Sequence, residues 1–332
     1  MDSDNLATNS TADTPPPVFT VMPPKRGNFF YGEHGMRAGW RLLIYLAIVI
    51  GAGASLSAIA RQFHAPTRGT PTPAVLMFSE IANFLVVFGA AWIMSRIEKR
   101  PMRVYGLPAR NAFRKEFWLG VLLGLLEISA LIGLISMFGG YSFGPLALHG
   151  TEILRWASFY GVFFLFVGFF EEFTFRGYTQ FTLADGIGFW PAAIVLSALF
   201  GGVHLFNPGE GWVGGLGVFV VAMLFAFTLR RTGNLWYAVG LHAAFDWGET
   251  FLFSVPDSGF VFPGHLSSAL LHGPKWLTGG TVGPEGSIFC FLTIGLQFLV
   301  VLWLFPSKPD AQPQATVYVT PSADASTGAV AR

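Results

Sequence analysis

The chain has 332 residues, of which 52% are hydrophobic and 12% charged, with 35 Phe, 10 Trp and a formal net charge of +1. Soluble domains carry about 25% charged residues, so a mean hydropathy of +0.54 with this aromatic load excludes a water-soluble globule. Near-neutral charge argues against nucleic acid as a partner, and a single cysteine, Cys290, excludes a disulfide framework or a multi-thiolate metal centre.

Residues 1–27 are proline-rich, show no signal-peptide pattern and read as a disordered tail. Apolar runs then follow at Trp40–Ile59, Ala74–Met94, Phe117–Phe138, Trp156–Phe170, Trp190–Phe206, Gly214–Leu229, Leu235–Phe253 and Ile288–Phe305. They are continuous rather than alternating, which predicts helices and not barrel strands. Residues 307–332, rich in Ala, Pro, Ser and Thr, read as a second disordered tail. The expected fold is an all-α, polytopic integral membrane bundle of about eight helices. Its expected divisions are 28–116 (two helices and a basic loop), 117–253 (a core), and 254–306 (a loop and the last helix). With the N-terminus inside, the connections put sixteen Lys and Arg on the cytoplasmic side against four opposite. That bias predicts that both termini face the cytoplasm. The basic 95–116 segment reads as a topology determinant first and as a site for anionic lipid headgroups second.

In so apolar a chain, the informative residues are acids and histidines within or abutting the spans: Glu80, Glu127, Glu171, Glu172, His204, His242, Asp246 and Glu249. An acid at the bilayer centre costs about 2.5–3.5 kcal/mol on insertion scales. Such residues must face a polar interior, pair with one another, or bind something. Glu171-Glu172-x-x-x-Arg176 places Glu172 and Arg176 four apart on one helix face, an expected ion pair, and leaves Glu171 for other work. Phe200 and His204 share a face of the fifth span beside Gly201 and Gly202, which suit close helix approach. His242 and Asp246 share a face of the seventh. Taken singly, the first two have bland readings: carboxylates capping a helix end and a packing histidine.

In this order on three spans, the motifs E-E-x-x-x-R, F-x-x-x-H and H-x-x-x-D resemble the CPBP family of intramembrane peptidases, which includes the type II CAAX prenyl proteases. Arg176-Gly177-Tyr178 and Asn234-Leu235-Trp236 are also similar to the family, and the likeness spans roughly 117–253. Asp246 stands where the eukaryotic pattern has Asn. The resemblance implies an endopeptidase that hydrolyses a bond in a membrane-presented peptide, prenylated or leader. It is then a multi-pass protein of the plasma membrane, or of the inner membrane in a bacterium. Its partners are a membrane-bound substrate and the bilayer.

Amide hydrolysis needs an activated water, a base and oxyanion stabilisation. Glu171 is the expected base, with His204 as its partner. His242 and Asp246 would stabilise the tetrahedral intermediate, and Glu172–Arg176 would brace Glu171. In a variant, Zn²⁺ is held by His204, His242 and a carboxylate. The alternatives are a proton-coupled transporter using Glu127, Glu171, His204 and Asp246 as a relay, and a non-catalytic scaffold. No H-E-x-x-H, G-x-S-x-G or G-x-G-D pattern occurs. Glu80 is expected to snorkel from a span end, Glu127 to line the cavity or pair with a helix neighbour, and Glu249 to lie on the Asp246 face toward the outer side. His34, His64, His149, His265 and His272 are expected to be solvated, and Cys290 to be core.

Overall fold

A computed structural model describes residues 28–32, 35–63 and 72–306. Both tails, with His34 and His64, lie outside the described residues. Every apolar run is helical: α1 Ala38–Phe63, α2 Pro73–Ile97, α3 Lys115–Met137, α4 Thr151–Arg176, α5 Tyr178–Ile187, α6 Phe189–His204, α7 Trp212–Thr232, α8 Trp236–Trp247, the single turn α9 Lys275–Thr278, and α10 Ile288–Leu304. Five segments are long and apolar enough to cross a bilayer: Ala38–Gln62, Pro73–Ile97, Lys115–Met137, Thr151–Ile187 and Trp212–Thr232. Helices α6 and α10 are shorter apolar helices, and α8 continues into a π-helical turn at Gly248–Leu252.

The helices turn their apolar faces outward, as a lipid solvent requires. On α10, Ile288, Leu292, Leu296, Leu299 and Trp303 are exposed, while Cys290, Thr293, Ile294, Gln297 and Val301 are buried. The polar residues of this helix therefore lie inside the bundle.

Helix α8 carries His242 and Asp246, and glycines fix its position. A Cβ on Gly120 would fall 2.2 Å from the Tyr237 carbonyl oxygen, one on Gly124 2.3 Å from that of Leu241, and one on Gly240 2.3 Å from that of Phe117. Gly120 and Gly124 form a G-x-x-x-G face on α3, the spacing that lets two membrane helices approach to backbone contact. Gly124→Val is therefore expected to force the helices apart and to lower the thermal midpoint in detergent, at a cost of about 1–3 kcal/mol or more. Gly133→Val on the same helix, where a Cβ meets nothing within 4 Å, is the control and should unfold like wild type. Equal midpoints for the two variants would refute the zipper.

Glycine also pins α6 to α7, since a Cβ on Gly201 would stand 2.6 Å from the Gly215 carbonyl oxygen; Gly202 faces open space. Only the first of the two expected packing glycines is used. At the other junction, Gly177 breaks the α4–α5 segment with φ −83° and ψ −126°. A side chain there would meet the Phe173 carbonyl oxygen at 2.3 Å.

An ion network ties α1, the end of α2 and α5 together. Arg41 bridges Glu98 and Asp185, both at 2.8 Å, and Arg100 reaches Asp185 at 2.7 Å. The Tyr178 hydroxyl donates to Glu98. Two of the residues counted as topology signals are thus engaged in tertiary pairing as well.

The 254–287 connection folds back over the helix ends. Tyr141–Ser142 pairs antiparallel with Leu270–Leu271, and the Tyr141 hydroxyl donates to the Phe253 carbonyl at 2.9 Å. His265 lies within this layer, half-buried rather than solvated as expected, and its Nε2 has no hydrogen-bond partner. Burial lowers its pKa below the ordinary 6.5. The unfolded chain then binds the proton more readily than the folded one, so this contribution is complete above pH 6.5 and is lost as pH falls below it. His265→Gln is expected to flatten the acid side of the thermal-midpoint profile; an unchanged profile would exclude His265 as its source.

Candidate active site

Helix α4 presents the two glutamates on different faces. Glu172 is fully buried, and its Oε1 lies 3.3 Å from Arg176 Nη1 on the next turn. Arg176 is itself 1% exposed. Its guanidinium carbon stands 4.5 Å from the centroid of the Phe200 ring and 5.5 Å from that of Phe225. The aromatic faces share the stabilisation of the cation. The expected Glu172–Arg176 pair is present, in the last turn of α4 and buried in the packed interior.

One imidazole joins the motif acids. His242 Nδ1 is 3.0 Å from Glu172 Oε1, and its Nε2 lies 3.4 Å from Asp246 Oδ2 and 3.7 Å from Glu171 Oε2. The ring stacks on Phe225, with centroids 5.4 Å apart. Glu172 thus orients His242 through one nitrogen, in the way a second carboxylate fixes an imidazole in many hydrolytic sites. The other nitrogen faces Glu171 and Asp246. At 3.7 Å the Glu171 contact is too long for a direct hydrogen bond.

His204 ends α6, and its Nδ1 is 2.8 Å from the Phe200 carbonyl oxygen. That contact assigns the proton to Nδ1 and leaves Nε2 as the acceptor. The ring also packs edge-on against Phe200, centroids 4.5 Å apart. His204 shares a cavity with Glu171, but the imidazole within reach of Glu171 is His242 and not, as expected, His204.

The cavity holds about 280 Å³ and is lined by Glu171, His204, His242 and Asp246 together with Phe163, Phe164, Phe200, Phe225 and Phe262. Apolar walls around a few convergent polar groups are the usual make-up of a ligand site. Glu127 and Glu80 line it as well. Glu127 is buried beside Gln297 and Thr293 of α10, which supplies both of its expected readings at once. Glu80 is a cavity wall within electrostatic reach of Glu171, not a snorkelling residue, because α2 packs against α4 there. Glu249, in the π-helical turn that continues α8 past Asp246, is fully buried. Cys290 is buried, as expected, and also touches the cavity. Of the remaining histidines, His149 and His272 are exposed, and His272 pairs with the Ser142 hydroxyl at 2.9 Å.

Two residues that the sequence did not single out complete the polar wall. Asp257 and Glu285, both from the 254–287 connection, line the same cavity. Asp257 Oδ2 accepts from the Thr250 hydroxyl at 3.1 Å, and Glu285 Oε2 from the Ser258 hydroxyl at 2.7 Å. Burial, with the Asp257 charge beside it, pushes the Glu285 carboxyl up to about 8. No periodicity marks either residue, because they sit in irregular backbone 28 positions apart in the chain.

A Zn²⁺ site needs donor atoms close enough to share one ion. Among the described residues, the group of three or more His, Cys, Asp and Glu donors lying within 4.8 Å of one another is Asp246, Asp257 and Glu285. The grouping of His204, His242 and a carboxylate does not meet that spacing as the side chains stand. Both nitrogens of His242 are turned to carboxylates.

No curated protein and no solved structure matches the chain. Residues 153–248 match the family model described as type II CAAX prenyl endopeptidase Rce1-like. The matched segment contains Glu171, Glu172, Arg176, Phe200, His204, His242 and Asp246, the residues that carry the resemblance. Over this segment, under a third of the chain, the core is similar to the Rce1-like type II CAAX prenyl endopeptidases, on helices long and apolar enough to cross a membrane.

Proposed function

We propose that the protein is an intramembrane endopeptidase that hydrolyses a peptide bond in a membrane-presented chain by a glutamate-activated water. The observation that carries this reading is the convergence of Glu171, Glu172 and Asp246 on the one imidazole of His242, at the wall of an apolar cavity. A water between Glu171 and His242 gives up a proton to Glu171 as its oxygen adds to the scissile carbonyl carbon. The His242 Nε2–H then donates to the oxyanion, with Glu172 holding the ring through Nδ1 and Asp246 beside Nε2. His204, with its Nε2 free to accept, orients the water or the substrate amide. Glu171 returns the proton to the amine nitrogen as the C–N bond breaks, so no proton is lost or gained. Glu172 and Arg176 position His242 and do not touch substrate.

The phenylalanine walls fit an apolar chain, such as a prenyl group or a hydrophobic peptide. The charge bias of the connections supports termini on the cytoplasmic side. The test uses purified protein in lipid with a quenched farnesylated CAAX peptide and an unprenylated control. Cleavage by wild type that survives 1,10-phenanthroline and is lost in Glu171→Gln and in His204→Ala supports the reading. Cleavage that survives both substitutions would overturn it.

A further inference from the structure

One wall of the cavity is built from acids. Asp246, Asp257 and Glu285 have carboxylate oxygens all within 4.8 Å of one another. Two oxygens bound to one ion at about 2.4 Å can lie no more than about 4.8 Å apart, so the three are already at ligand spacing. They come from two structural units: α8 supplies Asp246, and the returning connection supplies the other two. All three face the cavity, which gives an ion a route in.

A fourth acid lies within electrostatic reach of all three. Glu249 is 0% exposed, and neither carboxylate oxygen has a hydrogen-bond partner. The charges that act on it are those of Glu285, Asp257 and Asp246. Its Oε1 lies 3.1 Å from where a Cβ of Gly283 would stand, and the same Cβ would meet the Pro256 carbonyl at 2.1 Å. The carboxylate is therefore wedged between the backbone leading to Asp257 and the backbone leading to Glu285. Among the described residues, no lysine or arginine forms an ion pair with any of these four acids; the base in contact is His242, through Asp246. Buried like charges at this spacing need a compensating cation or a set of shared protons.

We propose that Asp246, Asp257 and Glu285 form a binding site for a hard divalent cation, Ca²⁺, Mg²⁺ or Mn²⁺, with Glu249 as an outer carboxylate behind it. An all-oxygen donor set selects these ions over zinc. Thr250 and Ser258 hold the Asp257 and Glu285 carboxylates through one oxygen each and so orient them. The ion would clip the connection to α8 and set the field beside His242 without touching the water that Glu171 activates. The site rests on carboxylate geometry and holds whether or not the peptidase reading does.

The test uses the full chain in lipid nanodiscs, stripped with EDTA and titrated with Mn²⁺, with free ion read by its electron paramagnetic resonance signal. One saturable Mn²⁺ per chain is expected, competed by Ca²⁺ or Mg²⁺ and weakened at least tenfold in Asp257→Asn/Glu285→Gln. Mn²⁺ should also raise the thermal midpoint of wild type and leave that of the double variant unmoved. Because the variant removes two crowded carboxylates, its midpoint without metal should equal or exceed that of stripped wild type, which guards against mistaking misfolding for loss of a site. Wild type that binds Mn²⁺ no better than the double variant would overturn the proposal.

Discussion

Replacing Arg176 with methionine is expected to remove about 3–5 kcal/mol of stability, the usual result of stranding one partner of a buried ion pair. Arg176 is 1% exposed and Glu172 0% exposed, so neither charge has water to fall back on. The Glu172 Oε2 already lacks a hydrogen-bond partner, and loss of the guanidinium would leave His242 as the remaining polar contact of the carboxylate. Methionine fills much of the volume between Phe200 and Phe225, so the deficit reports charge and not a cavity. The measurement is the thermal midpoint in detergent. The paired change Glu172→Leu/Arg176→Met should recover most of the loss, because it removes both charges, and should leave peptide cleavage abolished, because His242 loses its orienting carboxylate. Arg176→Met unfolding within about 0.5 kcal/mol of wild type would mean that the pair is not the brace described here.

Glu171→Gln is expected to do the opposite. Its side chain is 24% exposed and approaches His242 Nε2 at 3.7 Å. The amide keeps the shape and loses the basicity, so the thermal midpoint should stay near that of wild type. The cleavage rate should drop by about 10²–10⁴-fold, the usual range for a positioned general base. Glu172→Gln, one residue along, should lower both the midpoint and the rate, since it weakens the bonds to Arg176 and His242 together. If the two substitutions behaved alike, the division into a base and a positioning residue would be wrong.

These contrasts follow from a helix that puts neighbouring residues about 100° apart. The spacing of Glu172 and Arg176 already specified their pairing, because positions four apart on one helix meet whatever surrounds them. The same holds for His242 and Asp246, which the structure places 3.4 Å apart. Contacts between helices were another matter. Whether Glu171 meets His204 or His242 depends on where α6 and α8 stand against α4, and that is set by backbone approach at Gly201 and by the Gly120, Gly124 and Gly240 zipper. Gly202 has the same side chain as Gly201 and meets nothing, a difference visible only in three dimensions.

The sequence alone determined a helical membrane protein, the eight apolar runs, the residues of the three motifs and the pairs within each helix. Composition and short-range periodicity carry that information, because bilayer burial and helical pitch act on consecutive residues. Only the tertiary structure decided that Glu80 and Glu127 wall the cavity, that Glu249 is buried, and that Asp257 and Glu285 join Asp246. Those placements come from the packing of α2 and α10 and from a connection that folds back onto the helix ends, and no local pattern encodes the long-range contacts that fix them.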